Sequence, residues 1–283
     1  MKQKVVVLDE LLVFDLDGTL LGANEALSPL TRKALNELDQ RGINWTIATG
    51  RMPHSARKAL TNIQFKHSQV YKNGVLVWDL NEDKIINKLP LSQARVLEIC
   101  KRLHQHDINP WLNTLDHEDN VGAVIAKIQT QRDKEWQTLL AEEGITVQEK
   151  ADYSDVTDPV LNVFAATHNP MALNMAEELA DLEDVAVFAG HDMYHEGAYW
   201  MDVHHASGTK GDAVKLIQEQ SGAKKIICFG DSDNDVSMFE MADECYAMGQ
   251  GLDVLKAMAT KTIGANTEDG IAHFLAQRYD FLL

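Results

Sequence analysis

Asp15-Leu16-Asp17-Gly18-Thr19 sets two carboxylates two residues apart, directly behind the apolar run Leu12-Val13-Phe14. Strand alternation would put Asp15 and Asp17 on one side of the chain, and Gly18 then permits a sharp turn. Like charges that close need a cation or a shared proton. A second cluster follows another apolar run, Ile226–Phe229: Asp231, Asp233, Asn234 and Asp235, behind Gly230. Oxygen side chains at this density suit a hard cation such as Mg2+, which keeps several waters and takes only one or two carboxylates directly. Either cluster alone has a plainer reading as a solvated acidic turn; their pairing favours the cation. Thr49 and Gly50 end a third apolar run just before a helical pattern, where a hydroxyl and backbone N–H groups make an anion cradle. Lys210 opens a further helix and offers a positive charge to the same anion.

These residues must be positioned by an alternation of strands and helices. Ser28 and Pro29 read as an N-cap and first helical residue. Leu30, Ala34, Leu35 and Leu38 then share one helical face, and Gly42 fits the stop. Asn73-Gly74 between apolar runs predicts a hairpin. The rhythm predicts right-handed βαβ units and a mostly parallel, doubly wound sheet. Ligands bind such sheets at the carboxyl ends of the strands, where both acidic clusters fall. The middle of the chain mixes helical stretches with strands such as "VGAVIAKI" and "VLNVFAAT", an α+β pattern. The expected organisation is an α/β core made of 1–84 plus 199–283, with 85–198 as an inserted α+β domain.

The chain has 283 residues, 45% hydrophobic and 24% charged, with room for a sizeable core. Lys and Arg total 26 against 43 Asp and Glu, a formal net charge of −17. Such a surface repels nucleic acid, and it repels phosphorylated small molecules unless a cation or local basic group intervenes. Cys100, Cys228 and Cys245 are too sparse for a disulfide framework and fit a reducing compartment. Asp9 and Glu10 interrupt the N-terminal apolar run, which does not read as a signal peptide. No stretch approaches the ~20 apolar residues of a membrane span. The expectation is a cytoplasmic protein without nucleic-acid or membrane partners. His191 and His195 have a zinc-like spacing, but with His204 and His205 they lie in a loop-and-strand segment without a matching second pair. Trp200 and Met201 read as packing residues, and His104, His106 and His117 as surface.

The four pieces in this order resemble the haloacid dehalogenase-like hydrolase superfamily: Asp15 to Thr19, then Thr49-Gly50-Arg51, then Lys210, then Gly230 to Asp235. The insertion resembles the C2-type cap of the Cof-type (class IIB) subfamily, and Asn73-Gly74 and Glu268-Asp269-Gly270-Ile271 also look like that subfamily. The resemblance implies a Rossmannoid core, a cap that selects substrate, and a Mg2+-dependent phosphatase of small phosphorylated metabolites, sugar phosphates or cofactor-type phosphomonoesters. It implies Asp15 as the nucleophile that becomes an aspartyl-phosphate and Asp17 as general acid and base. Thr49, Gly50 and Lys210 would hold the phosphoryl oxygens. Mg2+ would be bound by Asp15, the backbone carbonyl of Asp17, and Asp231. Asn234 and Asp235 would support them, with Arg51 and Asn73 on the substrate side. An acid at position 17 fits phosphatases and phosphomutases, which must protonate an alkoxide, and the cap class favours phosphatase. A phospho-accepting regulatory domain and a degenerate metabolite-binding protein are the rival readings. A monomer or weak homo-oligomer is expected. Two departures stand out. Gln250-Gly251 replaces the Asn-Ala that the family often carries, and Lys2 to Leu11 precede the usual start of the first strand. There "VVVLDE" imitates the strand–carboxylate junction, but no Gly–Thr turn follows Asp9. That segment would lengthen the first strand or add an edge strand.

Overall fold

A computed structural model describes residues 9–192 and 195–283. The chain opens with β1 (Glu10–Phe14), α1 (Pro29–Arg41), β2 (Asn44–Ile47), α2 (Pro53–Ala59), β3 (Gln69–Tyr71), β4 (Leu76–Asp79) and β5 (Lys84–Lys88). It continues with α3 (Gln93–His104), β6 (Trp111–Leu115), β7 (Val121–Ile125), α4 (Gln131–Glu142), β8 (Thr146–Glu149), β9 (Val160–Thr167), α5 (Met171–Ala180), β10 (Val185–His191) and β11 (Tyr199–His205). It closes with α6 (Lys210–Ser221), β12 (Lys225–Gly230), α7 (Val236–Met241), β13 (Glu244–Ala247), α8 (Asp253–Met258), β14 (Lys261–Thr262) and α9 (Gly270–Tyr279). Two compact units result: one runs to Asn87 and resumes over Thr209–Leu283, the other is Lys88–Gly208.

In the first unit five of the described strands form a sheet in the order β14-β13-β12-β1-β2, every neighbour parallel, and β3, β4 and β5 form a separate small sheet. Leu11, Leu12, Val13 and Phe14 of β1 are wholly buried, as expected of a strand covered on both faces. The helix before β2 forms as its sequence predicts. Ser28 Oγ accepts the Thr31 N–H at 2.9 Å, Pro29 starts the helix, and Gly42 ends it at φ +71°. Ala34, Leu35 and Leu38 are buried, while Leu30 is only partly so. The Asn73-Gly74 signal marks a real reversal, because β3 and β4 pair antiparallel on either side of it. Of the N-terminal segment, Lys2–Leu8 lie outside the described residues. Glu10 and Leu11 belong to β1 itself and so lengthen the first strand.

The second unit is built on a sheet ordered β10-β11-β9-β6-β7-β8 among the described residues. Val96, Ile99 and Leu103 of α3 and Met175 and Leu179 of α5 pack with Leu112, Val163, Met201 and Val203 of the sheet. Trp111, Ala123 and Ile125 of the sheet cluster with Leu140 of α4. The sequence reading ends this unit at 198, but β11 pairs antiparallel with both β9 and β10 and carries it to Gly208. Isolated sequence does not reveal that partner choice, because the apolar alternation of Met201 and Val203 would suit either sheet. No described helix is long and apolar enough to cross a membrane.

Candidate active site

β1 and β12 are adjacent and parallel, with Phe14 level with Phe229. The Asp15 N–H donates to the Phe229 carbonyl at 3.0 Å. Whatever follows these two strands therefore emerges side by side, and the chain's return to β12 beside β1 makes the crevice where ligands of such sheets bind. Asp15, Asp231 and Asp235 meet there. Each offers a carboxylate oxygen, and these oxygens lie within 4.8 Å of one another. Lys210, the first residue of α6, is wholly buried and donates to Asp15 Oδ1 at 2.6 Å and to Asp235 Oδ1 at 2.6 Å.

The remaining contacts fix this cluster. Asp235 Oδ2 accepts the backbone N–H groups of Asp231 at 2.9 Å and Ser232 at 3.1 Å. The Asp235 carboxylate thus joins the Asp231 loop to Lys210. Thr19 Oγ1 donates to Asp231 Oδ1 at 3.0 Å. Gly18 turns at φ +77°, and a Cβ there would lie 2.3 Å from Asp231 Oδ2. Any side chain there would displace the Asp231 carboxylate and strain the left-handed backbone.

Electrostatics mark the same place. Burial pushes the Asp15 carboxyl well above the usual carboxylate range; Lys210 opposes this, while Asp235 and Asp231 add to it. Burial also pushes Asp231 up to about 6, with the Asp235 charge contributing. Burial works against the Lys210 ammonium, but Asp15 and Asp235 outweigh it and hold its pKa above the ordinary value. Three carboxylates with one ammonium leave a deficit of positive charge. The donors are all oxygen, which is the chemistry a hard divalent cation takes. Asn234 fits the same demand. Its Nδ2 donates to Asn73 Oδ1 at 3.0 Å, while its buried Oδ1 has no hydrogen-bond partner among the described residues.

Asp17 departs from the expected alternation. The chain leaves the strand at Leu16 for a tight turn, so the two-residue period stops at Asp15. Asp15 is buried and the Asp17 side chain is half exposed. Asp17 is gripped by Arg51, with Nε to Oδ2 at 2.7 Å and Nη2 to Oδ1 at 2.5 Å. The same Nη2 donates to Glu25 Oε2 at 2.7 Å. Arg51, expected on the substrate side, thus has a carboxylate on each flank. The sequence reading missed Glu25, which sits in an unpatterned loop after the motif.

Thr49 is wholly buried and its Oγ1 accepts the Arg51 N–H at 3.1 Å. Its carbonyl accepts the Asn73 N–H at 3.0 Å. Asn73 holds φ +56°, and Gly50 leaves only 3.0 Å between a would-be Cβ and Asn73 Oδ1. Thr49, Gly50, Asn73 and Asn234 therefore form one connected wall. Asp233 stays out of the cluster; its Oδ1 accepts the Ser232 hydroxyl at 3.1 Å and the Asn234 N–H at 2.9 Å.

His191, His195 and His204 of the second unit have protein partners. His191 packs on Tyr199 with ring centroids 4.9 Å apart, and His204 stacks on Phe188 at 5.6 Å. His195 Nδ1 lies 3.1 Å from Asp192 Oδ2, and its Nε2 lies 3.0 Å from Arg132 Nη1.

The sequence profile of the haloacid dehalogenase-like hydrolases matches residues 12–275. Pyridoxal phosphate phosphatase YbhA of Escherichia coli is 28% identical over 276 residues, covering 93% of this chain and 96% of that protein. The 5-amino-6-(5-phospho-D-ribitylamino)uracil phosphatase YcsE of Bacillus subtilis is 24% identical over 265 residues, covering 93% of each. A haloacid dehalogenase-like hydrolase from Bacteroides thetaiotaomicron has the same fold at a TM-score of 0.76 and 22% identity, over 95% of this chain and 99% of that one. A profile match across both acidic loops, with full-length likeness to named phosphatases, leads to one assignment: the chain belongs to the haloacid dehalogenase-like hydrolases, as a Cof-type enzyme that hydrolyses phosphoric monoesters.

Proposed function

We propose that this enzyme removes phosphate from small phosphorylated metabolites through an aspartyl-phosphate on Asp15, with Mg2+ as cofactor. The observation that carries the reading is the Lys210 bridge. Its ammonium takes Asp15 Oδ1 and Asp235 Oδ1, which leaves the other Asp15 oxygen as the attacking atom. That oxygen forms the bond to phosphorus as the ester bond breaks, and Asp17 gives its proton to the departing alkoxide. A water then attacks the phosphorus of the acyl phosphate, Asp17 takes its proton, and Asp15 and inorganic phosphate are released. Thr49, Gly50 and Lys210 hold the phosphoryl oxygens; Asn234 and Asp235 keep the walls in place. Asp15, the Asp17 carbonyl and Asp231 would hold Mg2+, which would supply positive charge to offset that of the transferring group.

Asp17 can act only after leaving Arg51, since both its oxygens accept from that guanidinium. A phosphoryl dianion is a competing acceptor for the same fork. We assign Arg51 to that exchange and substrate selection to the inserted unit. There Asn113 Nδ2 donates to Asn162 Oδ1 at 2.9 Å, and Asn162 Nδ2 donates to Asp202 Oδ1 at 2.9 Å, a buried polar row across three strands. Phosphomonoesters that carry a heterocyclic ring are favoured over simple sugar phosphates, because two relatives are named for pyridoxal phosphate and a phosphoribitylaminouracil. The three cysteines are buried and unpaired, which supports a reducing, cytoplasmic setting.

The test is steady-state release of inorganic phosphate across a panel of phosphorylated metabolites, pyridoxal phosphate and ribityl phosphates included, with and without Mg2+. Repeated turnover that depends on Mg2+ supports the reading. One equivalent of phosphate taken up without turnover would make the chain a phospho-accepting regulator instead.

A further inference from the structure

The turn that carries Asp15 to Gly18 is exposed on one side, and its last peptide must hold still if Gly18 is to pack against Asp231. The structure assigns this task to Gln250. Its Nε2 donates to the Gly18 carbonyl, and its Oε1 accepts the Asn266 N–H at 3.2 Å. Both ends of one amide are thereby used, and the turn is tied to a loop 16 residues beyond Gln250. Asn266 repeats the strap one turn on, with Nδ2 donating to the Leu21 carbonyl at 2.8 Å. The next residue completes the arrangement. Gly251 lies against the other acidic loop: a Cβ there would stand 3.0 Å from Asp231 Cα and 3.1 Å from the Asp231 carbonyl oxygen. The Leu252 N–H also donates to that carbonyl at 2.9 Å. One short segment thus braces both walls of the acidic cleft, Gln250 the Gly18 wall and Gly251 the Asp231 wall.

We propose that Gln250 is a positioning residue for phosphoryl transfer. It fixes the Gly18-Thr19 peptide, so that the nucleophile turn and Asp231 keep one spacing. The inference rests on the phosphatase reading above. It touches no reacting atom, so it concerns how fast bound substrate reacts and how firmly the cation is held.

Three variants test it: Gln250→Ala removes both bonds, Gln250→Glu keeps the shape but turns the donor toward Gly18 into an acceptor, and Asn266→Ala removes the second strap. Small displacements of a reacting group cost up to about 10²-fold. We therefore expect kcat to fall about 10- to 100-fold in Gln250→Ala and Gln250→Glu, KM to move less than about 3-fold, and Asn266→Ala to move the same way by less. Calorimetric titration with Mg2+ alone should show weaker binding in Gln250→Ala at an unchanged melting temperature. Full kcat and unchanged Mg2+ binding in both Gln250 variants would overturn the inference. A loss confined to KM would overturn it too, by making Gln250 a substrate contact. An inactive wild type would instead overturn the phosphatase reading, with the Mg2+ titration still reporting on Gln250.

Discussion

At the carboxyl ends of β1 and β12, three carboxylates cluster around the ammonium of Lys210, which binds Asp15 and Asp235. At the amino end of the same sheet the charges are matched. Glu244, at the start of β13, accepts Arg278 Nη1 at 2.6 Å, the Lys225 ammonium and the Tyr246 hydroxyl. Glu10, at the start of β1, accepts the Tyr279 hydroxyl at 2.5 Å and Arg278 Nη2 at 3.3 Å. Arg278 and Tyr279 belong to α9, so this network fastens the last helix to the sheet. The carboxyls respond in opposite directions. Hydrogen bonding to Arg278 draws Glu244 down to about 2, against the desolvation that raises it, while burial lifts Asp231 to about 6. One end has its ions neutralised for stability; the other keeps charge unbalanced, as a site awaiting a cation and an anion would.

Substitutions should separate the two ends cleanly. The largest effect belongs to Asp15→Asn, expected to lower turnover at least about 10³-fold. Because burial disfavours the Asp15 charge by more than Lys210 favours it, the melting temperature should not fall. Turnover within tenfold of wild type, measured as phosphate release, would place the nucleophile elsewhere and erase the distinction. Arg278→Ala should do the reverse. It strips a donor from Glu244 and Glu10 together, at about 2–3 kcal/mol by the usual worth of charged hydrogen bonds. That is a melting shift of roughly 2–4 °C per kcal/mol, at unchanged kcat. A loss of kcat without a melting shift would tie the amino end to catalysis.

Acidity sharpens the contrast further. Glu244 lies below its ordinary 4.5 when folded, so its contribution is present above 4.5 and is lost as pH falls toward about 2. Asp231 lies above its ordinary 3.8 when folded, so its contribution is present below 3.8 and is lost as pH rises through about 6. Asp231→Asn should therefore stabilise the Mg2+-free protein at pH 7 by about 1–2 kcal/mol, less than the full shift because the group is only part-buried. The gain should vanish at pH 3.5. Calorimetric melts at the two pH values, without Mg2+, provide the check; a gain that persists at pH 3.5 would mean that charge is not the cause.

Much of the cleft was legible because its parts are local. A carboxylate behind an apolar strand, a glycine turn, a threonine at a strand end and a lysine opening a helix each leave a short signature, and the parallel sheet brings them together. The clamps around them leave none. Arg51 finds Asp17 and Glu25 across separations of 34 and 26 residues, and Gln250 finds Gly18 across 232. Such partners are chosen by how loops cross above the sheet, which no periodicity encodes. Asp17 misled for a related reason. Alternation holds only while the strand lasts, and the strand ends one residue before Asp15.

Asp9 supplies the smallest expected effect and the strictest control. It ends an apolar run as Asp15 does, six residues earlier, yet its side chain is exposed and pairs with the still more exposed Lys224 at 2.6 Å. An exposed pair of this kind contributes little, since water and salt already solvate both charges. What holds Asp9 is its backbone: its carbonyl accepts the N–H groups of Lys224 at 2.8 Å and Lys225 at 3.0 Å, at the entrance to β12. Asp9→Asn keeps that carbonyl and should leave turnover and melting temperature at wild-type values in the phosphate-release and thermal assays. Asp15 has the Gly18-Thr19 turn behind it and the partners the fold brings near it; Asp9 has neither. A turnover loss in Asp9→Asn approaching that of Asp15→Asn would mean that a strand-end carboxylate suffices, without the Lys210 bridge and the facing acidic loop.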